Sequence, residues 1–134
     1  MRVVSQSQFD SVLDQAADDG RLVLVDFYAD WCGPCKVLGP MLEKMEPDYE
    51  GKVDFIKVDT DRNQALSQAF GIRSLPTTLL LKPNEEGGAE VVGYAIGVKP
   101  PQALTKMIDK AVRKAEAAEQ GGGGVVGWLK SKFA

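Results

Sequence analysis

With 134 residues, the chain is long enough to fold one domain around a sizeable apolar core. Its 16 Lys and Arg against 19 Asp and Glu leave a net charge of -3 without the basic runs that nucleic acid binding requires, and no apolar stretch approaches the length of a membrane span. Two cysteines and no histidine exclude a disulfide-stapled scaffold, and exclude a Cys-rich or Cys/His zinc site unless carboxylates complete it.

Arg2-Val3-Val4 reads as a short edge strand. No apolar signal segment is visible in the first twenty residues, so a cytoplasmic protein is expected. Ser5 with Gln8 makes a capping box. Phe9, Val12, Leu13, Ala16 and Ala17 then recur at helical spacing until Gly20 ends the helix. Residues 22–29 form an apolar run on both faces, which predicts a central strand covered on both sides. The cysteine stretch follows at once. Val37, Leu38, Met41, Leu42 and Met45 make a helical stripe; Pro40 predicts a kink in it, and Pro47 ends it near Glu46. VDFIKVD at 53–59 is a second strand, and residues 63–70 are a short helix closed by Gly71. Residues 77–81 are a third strand, 83–88 a turn, and 89–94 the antiparallel partner. Pro100-Pro101 opens a last helix buried through Leu104, Met107, Ile108, Val112 and Ala115.

The order βαβαβαββα begins as parallel crossover units and ends as a hairpin, which predicts an α/β fold with a mixed central sheet and helices on both faces. The domain is expected to span residues 1–118. A Gly-rich linker is expected at 119–124 and a short amphipathic tail at 125–134, too short to be a stable helix alone.

The chemistry concentrates in DFYADWCGPCK, residues 26–36. A cysteine pair of this spacing can bind metal or cycle between dithiol and disulfide. Cys32 follows a strand and is expected to start a helix, where unpaired N–H groups and a partial positive charge favour a thiolate without any histidine; Lys36 adds to this. Cys35, one turn in, is expected to be less accessible. That asymmetry assigns Cys32 as nucleophile and Cys35 as the thiol that resolves the mixed disulfide, with Gly33 and Pro34 tuning the redox poise. Asp26 lies in the apolar run LVLVDFY, so burial should raise its pKa and fit it to accept the Cys35 proton. Lys57 on a neighbouring strand is its candidate charge partner. The alternative is a structural Asp26 and a solvated Lys57.

VDFYADWCGPCK, Pro40, KVD at 57–59, GIRSLPT at 71–77 and Val92-Gly93 stand together in an order and spacing that resembles the thioredoxin family, over about residues 5–113. The resemblance implies the thioredoxin fold, with a five-stranded mixed sheet flanked by four helices. It implies a cis Pro76 facing the cysteine pair; a proline read without the family would be an ordinary trans residue at a strand entry. It also implies a shallow docking surface from Trp31, Gly33, Pro34, Leu75, Pro76 and Gly93, with the Leu75 backbone pairing to an extended substrate. Tyr28, Ser74 and Tyr94 depart from the family pattern and leave partner preference open.

Three functions compete. The first is a protein-disulfide reductase with no cofactor or metal beyond its Cys32–Cys35 pair. It would act on disulfide-containing proteins as a monomer, carry electrons in cell redox homeostasis, and be recharged by thioredoxin reductase. The second is an oxidant or isomerase on the same fold, and the third a binding subunit that uses the fold as a scaffold. The Gly-Pro dipeptide favours the first.

Overall fold

A computed structural model describes the backbone of residues 1–133 and the side chains of residues 1–118. The boundaries expected for the linker at 119–124 and the tail at 125–134 lie outside the residues described with side chains. The elements run β1 (Arg2–Val3), α1 (Gln6–Asp19), β2 (Leu22–Tyr28), α2 (Cys35–Met45), a 3-10 turn (Glu46–Tyr49), β3 (Val53–Asp59), α3 (Gln64–Ala69), β4 (Thr77–Pro83), β5 (Ala89–Ile96) and α4 (Pro101–Phe133). They form one five-stranded sheet in the order β1-β3-β2-β4-β5. β3 is parallel to β1 and β2; β4 is antiparallel to both β2 and β5. The mixed sheet and four helices are those expected.

Each helix starts and stops for local reasons. The Ser5 N–H donates to Gln8 Oε1 at 3.1 Å, one arm of the expected box. Gly20 closes α1 at φ 69°, in the left-handed region that costs a glycine least. α2 continues through Pro40 as far as Met45, and its successor turn carries Pro47 at its start. β5 runs two residues beyond its expected end, to Ile96, and a bulge interrupts its pairing between Leu80 and Leu81.

Alternation divides β2 between two cores. Val23, Val25 and Phe27 pack with α1 residues Phe9, Val12, Leu13 and Ala16. Leu22 and Leu24 pack on the other face with Leu38 and Leu42 of α2 and Leu104 and Ile108 of α4. Strand β2 is third in the sheet and buried along almost its whole length. Asp26 shares the face of Leu22 and Leu24 by period two, so the fold carries a carboxylate into the core beneath α2. Removing Leu38 to alanine in this layer would cost about 2–5 kcal/mol.

Candidate active site

Cys32 and Cys35 are joined as a disulfide with Cα atoms 5.3 Å apart. The loop carrying them is tied from both sides: Cys32 N–H donates to Ala29 O at 3.1 Å, and Lys36 N–H to Gly33 O at 3.0 Å. The helix starts later than expected. Pro34, with helical φ and ψ, is the N-cap, and Cys35 is the first residue of α2. Cys32 therefore lies ahead of the helix, and the Cys35 N–H donates to Cys32 Sγ at 3.3 Å. An unpaired first-turn amide aimed at that sulfur, with the helix dipole behind it, favours negative charge there.

The expected difference in accessibility is absent in the disulfide form. Cys32 is 3% exposed and Cys35 6%. Both are covered because Tyr28 and Leu75 pack against the cluster they form with Ala29. What distinguishes them is the backbone: Cys32 receives the amide, while Cys35 lies one and two turns ahead of the buried Leu38 and Leu42 on the covered side of α2.

Asp26 is 1% exposed. Burial pushes its carboxyl up from the ordinary 3.8 to about 6, and the positive charge of Lys57 partly offsets this. Lys57 is its register partner on β3, yet it is in no ion pair among the described residues. Its Nζ sits instead 4.8 Å from the centre of the Tyr28 ring. The charge acts on Asp26 through space.

Leu75-Pro76 is a cis bond, and Leu75 packs against the cysteine cluster. Trp31 is 71% exposed, with its indole N–H donating to Asp61 Oδ2 at 2.8 Å. Gly33 and Pro34 are exposed beside it. Gly93 is not brought to this end. It pairs with Leu80, and a Cβ there would meet the Met107 side chain of α4 at 3.1 Å. The residue that does reach the site is Gly97, whose N–H donates to Pro76 O at 2.8 Å. Its φ of 80° is the reason a glycine stands there. Sequence reasoning missed Gly97 and Asp61; the glycine just before the Pro-Pro helix start was the available signal for the first.

Among the described residues, no three His, Cys, Asp or Glu side chains converge as a metal site would need, and no helix is long and apolar enough to cross a membrane. A buried Cys-X-X-Cys disulfide at a helix start, on this mixed sheet, defines a thiol–disulfide oxidoreductase whose redox group is its own cysteine pair.

The chain belongs to the thioredoxin family: residues 1–110 match the family model described as Thioredoxin. It is 42% identical to a thioredoxin of Chlorobaculum thiosulfatiphilum over 95 residues, covering 71% of this chain and 83% of that one. It is 36% identical to a thioredoxin of Haemophilus influenzae over 109 residues, covering 81% and 94%. Among solved structures it is similar to Plasmodium falciparum thioredoxin, with TM-score 0.69 and 35% identity over 82% of this chain and 98% of that one. Fasciola hepatica thioredoxin matches with TM-score 0.71 and 28% identity over the same shares.

Proposed function

We propose that the chain is a monomeric reductant of protein disulfides, working in the cytoplasm, carrying electrons in cell redox homeostasis and recharged by a thioredoxin reductase. The observation that carries the exchange chemistry is the Cys35 N–H held on Cys32 Sγ at the start of α2. A donor placed there stabilises the Cys32 thiolate, the species that attacks a disulfide. The reducing direction rests on the Gly33-Pro34 dipeptide between the cysteines. Thiol carriers of this kind act where thiols are kept reduced, which supports the cytoplasm.

In the reduced form, the Cys32 thiolate attacks one sulfur of a substrate disulfide. An S–S bond forms between Cys32 and substrate, and the other substrate sulfur leaves as a thiolate. Cys35 then gives its proton to Asp26 and attacks Cys32 Sγ. The Cys32–Cys35 disulfide forms, the mixed disulfide breaks, and the second substrate thiolate leaves. Two electrons pass to the substrate. The buried carboxyl near 6 suits the acceptor role, because a base is most effective close to the working pH. Trp31, Gly33, Pro34, Leu75 and Pro76 border the pair and serve as the docking surface, with Leu75 offering its backbone to an extended segment.

The test is trapping. Cys35→Ser removes the resolving thiol, so Cys32 should hold substrate proteins as mixed disulfides that dithiothreitol releases. Failure to trap any disulfide-containing protein from a reducing extract rejects the reductant reading. A reduction potential near that of an oxidising foldase, measured against glutathione, would reject it independently.

A further inference from the structure

Thr78 has no part in the scheme above, and its surroundings call for one. It sits in β4, 0% exposed, and its register partner on β2 is Asp26. Antiparallel partners project from the same face of a sheet. That face is the one covered by α2 and α4, since Leu24 and Leu80, two residues away on the same strands, both belong to its core. Asp26, Lys57 and Thr78 thus form a row across β3, β2 and β4.

Two oxygens of this row, Asp26 Oδ1 and Thr78 Oγ1, are buried without a hydrogen-bond partner among the described residues. The neighbouring Thr77 is different: its hydroxyl donates to Ser74 O at 2.6 Å. A buried hydroxyl left unpaired costs about 1–3 kcal/mol, and valine would fill the same volume in a strand without that cost. Thr78 therefore places a donor where a hydrophobe would pack better, directly across the ladder from a carboxylate that lacks one. Paired Cβ atoms on one face lie about 4.5–5.5 Å apart, a gap that a threonine χ1 rotation or one bridging water closes.

The remaining groups facing Asp26 narrow the choice. Strand β3 presents Lys57, the charge that acts on it, and two residues on the buried Asp59, whose carboxylate accepts from the Asp61 and Arg62 N–H groups; β2 itself presents the Tyr28 phenol two residues on. β5 presents Ala95 opposite Thr78, and the helices contribute Cys35, Leu38, Leu104 and Ile108. Lys57 and Asp59 are the charged side chains of this set, and neither is a hydroxyl donor. Thr78 is the hydroxyl paired to the carboxylate by register.

We propose that Thr78 is a positioning residue for Asp26: its hydroxyl donates to the ionised carboxylate and so sets how readily Asp26 takes a proton from Cys35. This deepens the reading of Asp26 as the proton acceptor and rests on it. When the carboxyl is neutral, the same hydroxyl forms only a neutral hydrogen bond, roughly half as strong as the charge-assisted one. The hydroxyl therefore favours the ionised form, and removing it should raise the pKa of Asp26.

The experiment is a carbon-13 NMR titration of the Asp26 carboxyl in the disulfide form of the full chain, compared with Thr78→Val and Thr78→Ser. Thr78→Val should titrate higher by roughly half a unit to one unit, and Thr78→Ser should keep the wild-type midpoint. An unchanged midpoint in Thr78→Val overturns the proposal. So does an equal shift in both variants, which would trace the effect to repacking and not to the hydroxyl that only Thr78→Ser keeps. Should Thr78→Val not fold, Thr78→Ala against Thr78→Ser makes the same comparison of hydroxyl present and absent. The titration reads the carboxyl directly, so it holds whether or not Asp26 is the base. Failure of that reading shows separately, as a pH–rate profile for disulfide reduction that Asp26→Asn leaves unchanged.

Discussion

Replacing Asp26 by asparagine preserves its volume and removes its titration. In the folded protein the carboxyl is raised from 3.8 to about 6, chiefly by burial, against the opposing charge of Lys57. A carboxyl raised on folding binds its proton more tightly in the native state than in the unfolded one. Below pH 3.8 both states are protonated and nothing is lost. Between 3.8 and about 6 the unfolded chain gives up its proton first, so stability falls as pH rises; above about 6 the loss is complete. A gap of about two pKa units corresponds to roughly 3 kcal/mol, and Asp26 is buried deeply enough for that conversion to apply. Asp26→Asn should therefore gain about 3 kcal/mol over the wild type between pH 3.5 and pH 8, whatever fixed offset the new amide introduces. Urea unfolding of the disulfide form at a series of pH values measures this difference. A difference between the two proteins that stays flat across that range would refute the account of Asp26 as a buried, strained carboxyl.

Two further perturbations probe what surrounds it. Lys57→Met removes the charge that lowers the Asp26 pKa, so the carboxyl should titrate higher and the pH–rate profile for disulfide reduction should move up with it; a profile that moves down or stays fixed contradicts through-space coupling. Gly97→Ala places a side chain at φ 80° where no neighbouring atom obstructs it, so its cost is backbone strain of about 1–2 kcal/mol in urea unfolding. Because the Gly97 N–H anchors Pro76 O, KM for a protein disulfide should rise more than kcat falls; wild-type stability and KM would show that the anchor is unimportant.

The sheet and its helices were legible because their signals are local. The apolar run from Leu22, broken only by Asp26, reports a strand covered on both faces, and the four-residue spacing of Leu104, Ile108 and Val112 reports a buried helix face. Cys32, Cys35 and Asp26 were legible as candidates because each breaks the pattern of its surroundings: a thiol pair and an acid among apolar residues. Pro76 was marked only by the resemblance to the thioredoxin family, since a proline at a strand entry is ordinary by itself. Register was not legible. The resemblance put Gly93 at the site through Val92-Gly93, but β5 runs on to Ile96, so Gly93 lies mid-strand opposite Leu80 and Gly97 is the residue that reaches Pro76. Thr78 was passed over for the same reason: alternation says which face a residue occupies, and only tertiary pairing says that Asp26 lies opposite. The start of α2 moved from Cys32 to Cys35 because Pro34 takes the cap position, a choice that depends on how the loop is tied to Ala29 and Gly33.

Burial, charge and register at Asp26 have to be considered together. An ordinary carboxyl at 3.8 would be a poor acceptor for a thiol proton at neutral pH, and it would hold that proton too weakly to return it when the disulfide is reduced again. Placing Asp26 on the central strand, beneath α2, lifts it to about 6, where both directions of transfer are accessible. A close ion pair with Lys57 would undo this by pulling the carboxyl back down. The Lys57 ammonium lies over the Tyr28 ring instead, so the register that pairs the two residues brings their charges near without joining them. The roughly 3 kcal/mol of stability lost above pH 6 is thus the direct consequence of burying this carboxyl, and it falls on a strand whose apolar neighbours on both faces offset it.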